Sequence, residues 1–222
     1  SADTTGDGGT IAVWNTSDQD VSVSSTTLGV NADINFWQQG SGDLDVDWAD
    51  TVDGDIFFSA DSSSVNVTDD VTAGTDGNIE IFAEFGDITQ SSGLILAEGG
   101  WVELEAGRDV TVWSVEGNAN GGSQSSAISI SAGRELQVSG GSGLDAVSVD
   151  GLHITLEAVE EIVTFGDVDA SGNITGDVSE GSAWFFGNLT AGWSVDVSTR
   201  DNLTAGGAVT AGVDVIFGAG ED

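Results

Sequence analysis

The sequence has no cysteine, proline, methionine, tyrosine or lysine among its 222 residues. The lack of cysteine excludes disulfide bonds and thiolate metal sites. No run of about 18 apolar residues occurs, so no segment is predicted to insert into a membrane.

Basic residues are equally scarce, because three arginines stand against 38 acidic residues and the formal net charge is −35. Phosphate backbones and anionic lipid surfaces repel such a polyanion, so nucleic acid is not expected as a partner. Hydrophobic residues make up 39% of the chain, which is enough to bury a core. No charged-then-apolar leader begins the sequence, so we expect any secretion signal to have been removed or to lie outside this segment.

A short apolar segment with alternating side chains recurs along the chain. It occurs at residues 11–13, 34–36, 56–58, 79–81, 102–104, 128–130 and 154–156. The intervals are 23, 22, 23, 23, 26 and 26 residues, and Ile174, Val195 and Val213 open further copies at a similar spacing. Self-similarity of this kind is typical of repeat architectures.

Two more apolar segments follow within each cycle. The second occurs at residues 21–23, 44–46, 65–67, 110–112 and 136–138, with weaker copies beginning at Ile88, Ile162 and Leu203. The third and poorest occurs at 28–30, 71–73, 94–96 and 147–149. Segments this short, punctuated by Gly, Asn, Asp and Ser, predict strands, since no window has the i, i+3, i+4, i+7 spacing of a helix.

The interval selects one all-β architecture. A sandwich has no reason to repeat every 23 residues, and a propeller blade needs about 40 to 50. Coils of three short strands fit the interval, and stacking them places equivalent residues about 4.8 Å apart. We therefore predict a single domain over residues 1–222, a single-stranded parallel β-helix (β-solenoid) with three short strands and about 23 residues per coil and roughly nine coils. The Gly-rich and Ser-rich stretches 117–126 and 140–145 are predicted loop insertions.

Several turns share an Ala-Gly motif beside a strand, at residues 105–112, 131–138 and 203–212. These segments resemble the repeats of filamentous-haemagglutinin-type exoproteins, which are large secreted bacterial surface proteins. The resemblance implies a right-handed β-helix that acts as an adhesin, toxin carrier or matrix fibre. It also implies an extracellular, secreted or cell-surface location, and it carries over no catalytic residues.

Stacked coils turn each repeat position into a column, and the position before the second strand is acidic. Apart from one serine, the column contains Asp20, Asp43, Asp87, Asp109, Glu135 and Glu161. Two carboxylates about 4.8 Å apart repel by roughly 1 kcal/mol in bulk water and about 3.5 kcal/mol at an effective dielectric near 20. Arg108, Arg134 and Arg200 lie beside this column and are predicted to be partial counter-charges.

The remaining repulsion must be relieved by screening, protonation or bound cations. Hard cations prefer oxygen ligands, so the acid-dense stretches are candidate Ca²⁺ sites. The candidate ligands are Asp43, Asp45, Asp47, Asp167 and Asp169. The alternative is a solvated acidic face suited to high salt, without specific metal sites.

A second column is aromatic. Trp14, Trp37 and Phe82 each lie three residues after the opening of a first strand, and alternation points them outward. Exposed rings suggest lateral contact with another protomer or stacking on surface glycans, whereas folding over a corner into the core is the structural alternative. Candidate glycosylation sequons occur at Asn15, Asn66, Asn173, Asn188 and Asn202.

These features favour a structural role. We predict an extracellular structural protein, either the subunit of a self-assembling fibre or filament or the adhesin stalk of a cell surface or matrix. End-to-end self-association is expected because a β-helix leaves unpaired strand edges at its ends, which must meet either another copy of the chain or the remainder of a longer protein. The alternative is a carbohydrate-binding or carbohydrate-cleaving β-helix protein. A lyase needs cationic groups that this chain largely lacks, and no coil is distinguished by the converging acid pair of a hydrolase, so we expect no enzymatic activity.

Overall fold

The computed structural model describes residues 2–4, 8–118, 127–146 and 152–220. Its 25 strands, numbered β1 to β25 along the chain, form two long parallel sheets. The chain winds as a parallel β-solenoid with about 23 residues per turn, which confirms the predicted fold class. Within the described residues, no helix is long and apolar enough to cross a membrane.

The ten-stranded sheet collects the first strand of each turn and stacks these strands in chain order. They are β2 (Ile11–Asn15), β4 (Ile34–Gln38), β6 (Ile56–Ala60), β9 (Ile79–Ala83), β12 (Val102–Ala106), β14 (Ile128–Ala132), β16 (Ile154–Ala158), β19 (Ile174–Val178), β22 (Ser194–Thr199) and β25 (Asp214–Ala219).

The register of this sheet confirms the predicted interval. Ile11 pairs with Ile34, Ile34 with Ile56, and Ile56 with Ile79. The same in-register pairing continues through β12, β14 and β16. Residues about two dozen apart in the chain are therefore direct neighbours across the sheet.

The last turn differs from the prediction in its register. Val195 pairs with Val215, whereas the sequence predicted an opening at Val213. Val213 lies in the bend before β25 and is 71% exposed. The two valines have the same parity along the strand, so alternation alone does not distinguish them.

The fifteen-stranded sheet contains the second and third strands of the turns. It consists of β1 (Ala2–Thr4), β3 (Val21–Thr27), β5 (Leu44–Thr51), β7 (Val65–Val67), β8 (Val71–Ala73), β10 (Ile88–Gln90), β11 (Ile95–Ala97), β13 (Val110–Gly117), β15 (Glu135–Ala146), β17 (Glu161–Thr164), β18 (Val168–Ala170), β20 (Ser182–Phe185), β21 (Leu189–Ala191), β23 (Leu203–Ala205) and β24 (Val209–Ala211). In β3, β5, β13 and β15 the second and third strands run together through the corner.

Two of the predicted third strands are displaced. Residues 28–30 are not a strand, and Leu28 is 58% exposed. The third strand of that turn is the end of β3, where Ser25 and Thr27 take the inward positions. In a later turn the strand begins at Ile95, one residue after its predicted start. Residues 147–149 lie outside the described part of the chain.

The predicted insertions have different outcomes. Gly117 ends β13 and Asn118 is buried, whereas residues 119–126 are outside the described ranges. Residues 140–145 lie within β15 instead of forming a separate loop. Val112 pairs with Val138, but Ser114 pairs with Gly143. Residues 139–142 of β15 therefore form a bulge opposite Trp113.

Glycine allows this bulge to cover an indole ring. A Cβ atom at Gly140 would lie 2.7 Å from a ring atom of Trp113, and one at Gly141 would lie 2.8 Å from another. Gly141 also has a φ of 66°, a conformation that favours glycine. The extra residues of this turn therefore pack over Trp113.

Alternation builds the core. In β6, Ile56, Phe58 and Ala60 are buried, while Phe57 and Ser59 lie half-buried on the outer face. The same pattern in successive turns gives one continuous apolar core from Ile11 to Val197. Each fully buried aliphatic or aromatic side chain contributes about 1.5–3 kcal/mol, so this core is the main stabilising element.

A few polar side chains lie inside the core at strand ends. The hydroxyl of Thr27 donates to the carbonyl of Ala32 at 2.7 Å, and that of Thr51 donates to a carbonyl at 2.6 Å. The hydroxyl of Thr164 is equally buried but has no hydrogen-bond partner. These threonines therefore differ in whether their polar atom is satisfied.

The side chain of Gln90 connects two backbone segments at one corner, Gly93 and residues 113–114. Its Nε2 donates to the carbonyls of Gly93 and Ser114, each at 3.0 Å. Its Oε1 accepts the backbone N–H groups of Trp113 at 3.0 Å and of Ser114 at 3.2 Å. A single buried amide thus satisfies four main-chain groups.

Candidate functional site

The structure brings the predicted acidic residues into one column at the corner before the second strand. Its members, in stacking order, are Asp20, Asp43, Ser64, Asp87, Asp109, Glu135 and Glu161. The backbone N–H of Asp43 donates to Asp20 Oδ1 at 3.0 Å, and that of Asp109 donates to Asp87 Oδ1 at 3.1 Å. These side chains therefore accept the N–H of the equivalent residue one turn later, a contact that we call a corner ladder.

The serine of this column shows that the position requires an acceptor oxygen rather than a charge. Ser64 Oγ accepts the N–H of Asp87 at 3.1 Å, and Ser182 Oγ accepts that of Asn202 at the same distance. Asp, Ser and Asn share a short side chain with an acceptor oxygen. This role was not predicted from the sequence, although the exchange of Asp for Ser and Asn at this position is a visible signal.

Corner ladders also occur before the first strands. The N–H of Asp55 donates to Asp33 Oδ1 at 3.0 Å, and the N–H of Asn78 donates to Asp55 Oδ1 at 2.8 Å. His153 Nδ1 accepts the N–H of Asn173 at 2.9 Å, which leaves the proton of the neutral ring on Nε2. Partial burial lowers the pKa of His153 and favours this neutral form.

Two of the predicted counter-charges pair with the acidic column. Arg134 makes a bidentate contact with Asp109, with Nε–Oδ1 at 2.9 Å, and Arg108 Nε lies 3.4 Å from Asp87 Oδ1. The hydrogen bond from Arg134 holds the pKa of Asp109 below its usual value. In the described ranges no ion pair involves Arg200, whose turn has Asn202 at the column position.

Four of the five candidate calcium ligands accept hydrogen bonds from the protein. Asp45 Oδ1 accepts from Asn66 Nδ2 at 2.9 Å, and Asp167 Oδ1 accepts from the N–H of Asn188 at 2.8 Å. Asp47 accepts from two serine hydroxyls, Asp43 belongs to the acidic column, and Asp169 lies outward in β18. Among the residues with a described position, no group of three or more His, Cys, Asp or Glu could hold a metal ion. Calcium binding stays a prediction.

The aromatic residues form a continuous surface on the ten-stranded sheet. Trp14 and Trp37 stack with ring centroids 4.6 Å apart and planes inclined by 4°. Phe57 lies 5.4 Å from Trp37 and 5.7 Å from Phe82. We call Trp14, Trp37, Phe57 and Phe82 the aromatic face. Phe57 was missed, although as the second residue of its strand it occupies an outward position.

Carboxylates continue the same sheet surface. Glu80 lies between Phe57 and Glu103 in one outward column, and Glu105 lies opposite Phe82 in the next. Partial burial, followed by repulsion from Glu103, raises the pKa of Glu80, and partial burial likewise raises the pKa of Glu103. We call Glu80, Glu103 and Glu105 the acidic group.

A separate pair of rings lies at the corner after the second strand. Phe165 and Phe186 stack with centroids 5.2 Å apart, and both are more than half exposed. Phe185, the residue before Phe186, points inward and is buried.

The sequons coincide with positions that have structural roles. Asn15 and Asn66 donate through their side-chain amides, and Asn173 and Asn188 accept a backbone N–H in corner ladders. Asn202 occupies the corner before β23. When an Asn at a corner is followed by a strand that begins with Ile-Thr or Leu-Thr, the three residues match the sequon. The fold alone therefore accounts for these matches, without glycosylation. Glycosylation stays a prediction.

The stacked turns define this chain as a parallel β-solenoid repeat protein. No protein-family model, no curated protein and no solved structure matches it. The resemblance to filamentous-haemagglutinin-type exoproteins therefore depends on repeat style alone.

Proposed function

We propose that the protein is an extracellular structural protein whose solenoid is a rigid rod, either the subunit of a self-assembling fibre or filament or an adhesin stalk at a cell surface or in a matrix. The continuous core and the parallel ladders support a rod, because each inner turn packs against two neighbours. The resemblance of residues 105–112 and 131–138 to exoprotein repeats agrees with this role.

The observation that carries the proposal is the surface of the turn containing β23, β24 and β25. Within the part of the chain that the structure describes, each of these strands is paired on one side only. Val215 and Phe217, which take inward positions in β25, are 47% and 40% exposed, whereas Val195 and Val197 one turn earlier are fully buried. Unpaired parallel edges with exposed apolar residues are a template for a further turn, and we propose that another copy of the chain supplies it, the alternative being the remainder of a longer protein.

The opposite end of the solenoid has a different surface. There β2 is paired on one side only, and a shallow depression is lined by Ile11, Val13 and Val23. Contact between two unlike surfaces is heterologous. Repetition of such a contact builds an open filament unless the rotation closes a ring.

Electron microscopy and light scattering of the 222-residue chain test this assembly, in salt high enough to screen the acidic charge. We expect filaments whose length increases with protein concentration. Val215→Glu should prevent growth because it places a charge in the end contact. Ile216→Glu, one residue away on the outer face, is the matched control and should leave growth unchanged.

A chain that stays monomeric at every concentration contradicts end-to-end assembly. Equal effects of the two substitutions contradict the apolar end contact, since they would reflect added charge alone.

A further inference from the structure

The aromatic face and the acidic group form one surface with two chemical halves. Phe57, Glu80 and Glu103 follow one another in a single outward column of the ten-stranded sheet. Phe82 and Glu105 are neighbours in the next column. Apolar rings and carboxylates therefore lie side by side on the outer face of this sheet, where one partner would contact both.

The acidic half lacks a counter-charge of its own. Glu80 and Glu103 lie directly opposite each other on neighbouring strands, an arrangement that is destabilising for like charges. The chain has no lysine, and its three arginines lie at positions 108, 134 and 200, outside the strands of this sheet. A cation from outside the chain would relieve this repulsion.

The charge of the chain argues against a lateral contact with a second copy. Each copy has a net charge of −35, and a like face would bring a second acidic group against the first. The ring geometry argues against a neutral polysaccharide, which needs open ring faces for stacking. Trp14 and Trp37 cover one face of each other's ring, since their planes are nearly parallel with centroids 4.6 Å apart, and this leaves fewer open faces for a sugar.

We propose that this surface binds a basic protein partner through an arginine-rich segment, whose side-chain stems pack on the aromatic face while their guanidinium groups pair with the acidic group. Arginine combines an apolar stem with a planar fork of donors, so it matches rings and carboxylates that lie side by side. Lysine has one compact charge without the fork and fits less well.

The chain provides a matched control for this site. Glu157 and Asp177 are also opposite each other on the outer face of the same sheet. Their neighbours in that column are Ser131 and Ser198 rather than aromatic residues. Neutralising either pair changes the net charge by the same amount, so the comparison separates this site from general attraction of a polycation.

The experiment measures binding of hexa-arginine to the full chain by calorimetry, at an ionic strength near 0.15 M, where exposed charges are screened beyond about 8 Å. Glu80→Gln combined with Glu103→Gln should weaken binding at least tenfold, and Glu157→Gln combined with Asp177→Asn less than twofold. Phe82→Leu should also weaken binding. Hexalysine should bind several-fold more weakly than hexa-arginine.

Two results would overturn the proposal. Equal weakening by the two double substitutions would show non-specific attraction to a polyanion. Binding of a neutral oligosaccharide such as cellohexaose, quenching tryptophan fluorescence when hexa-arginine does not bind, would assign the surface to a glycan. Thermal unfolding of each variant shows whether a loss of binding is a loss of folding.

Discussion

Asp55 allows a sharp test of the corner ladder, because its charge and its hydrogen bonds have opposite effects on stability. Its Oδ1 accepts the backbone N–H of Asn78 at 2.8 Å and the side-chain amide of the same residue at 3.0 Å. It also repels Glu80, whose pKa is raised in part by this charge. Replacing Asp55 by Ala removes all three interactions, whereas Asn removes the charge and keeps an acceptor oxygen.

The expected magnitudes decide whether each substitution raises or lowers the free energy of unfolding. Loss of a side-chain acceptor for a backbone N–H costs about 1 kcal/mol at helix N-caps, where the geometry is comparable. Hydrogen bonds to charged groups contribute about 1.5–3 kcal/mol. Relief of repulsion from one neighbouring carboxylate offsets less than about 1 kcal/mol, because exposed charges are screened. We therefore expect Asp55→Ala to lower the free energy of unfolding by about 1–2 kcal/mol and Asp55→Asn, which keeps neutral hydrogen bonds and loses the repulsion, to change it by less than about 1 kcal/mol.

Urea denaturation followed by tryptophan fluorescence is the appropriate assay, since urea, unlike guanidinium, does not screen charge. Asp196→Ala, which removes an exposed carboxylate from the outer face of the same sheet, is the control and should be neutral or slightly stabilising. Added salt should stabilise wild type relative to Asp55→Asn, because it screens the repulsion between Asp55 and Glu80, without changing the difference between the two Asp55 variants. The ladder is refuted if Asp55→Asn is as destabilising as Asp55→Ala, or if Asp196→Ala costs as much.

Three further predictions concern groups inside or on the solenoid. Thr27→Val should lower the free energy of unfolding by about 1–2 kcal/mol, because the buried carbonyl of Ala32 loses its hydrogen bond. Thr164→Val removes a hydroxyl without a partner and should be neutral or stabilising. Equal effects of the two substitutions on urea denaturation would contradict this. Gln90→Leu should cost about 3 kcal/mol or more, since four main-chain groups lose their partner; a loss below about 1 kcal/mol would show that they re-pair. The raised pKa of Glu80 means that the folded state holds its proton more tightly, so stability falls as pH rises from about 4.5 through that pKa. Glu80→Gln should therefore stabilise the protein at pH 7 by about 0.2–1 kcal/mol and flatten this part of the pH profile measured by thermal unfolding.

The first strands could be predicted from the sequence because two strong signals agree there. Eight of the ten begin with Ile or Val, and the third residue of these strands is inward and usually large as well, as in β9 with Ile79 and Ile81. The third strands gave a weaker signal, since small or polar residues take their inward positions. In β3, Ser25 and Thr27 are buried while the more hydrophobic Leu28 is exposed. Hydrophobicity alone therefore indicated the wrong three residues.

The candidate surfaces could be predicted only in part. Alternation placed Trp14, Trp37 and Phe82 outside, but the sequence could not show that Phe57 joins them diagonally across two columns. The acidic column was visible as a line of charge, whereas its hydrogen bonds to the next turn depend on how each corner is stacked. Asp43 was considered as a metal ligand, and in the structure its oxygen accepts the N–H of Ser64.

Stacking at the corners also accounts for the unusual composition. Gly54, Gly77 and Gly100 occupy one corner in successive turns, and a Cβ on any of them would lie 2.2 Å from a main-chain oxygen of the turn before. Corner residues such as Asp55 donate their N–H to the preceding turn, so proline is unsuitable there as well as in the strands. A side chain with an acceptor oxygen must then reach the backbone N–H of the equivalent residue in the next turn. Among the described residues, Asp most often has this role. Part of the negative charge is thus explained by the backbone's need for acceptors, and the carboxylates on the outer face of the sheet, such as Glu80 and Glu103, are those left for binding a partner.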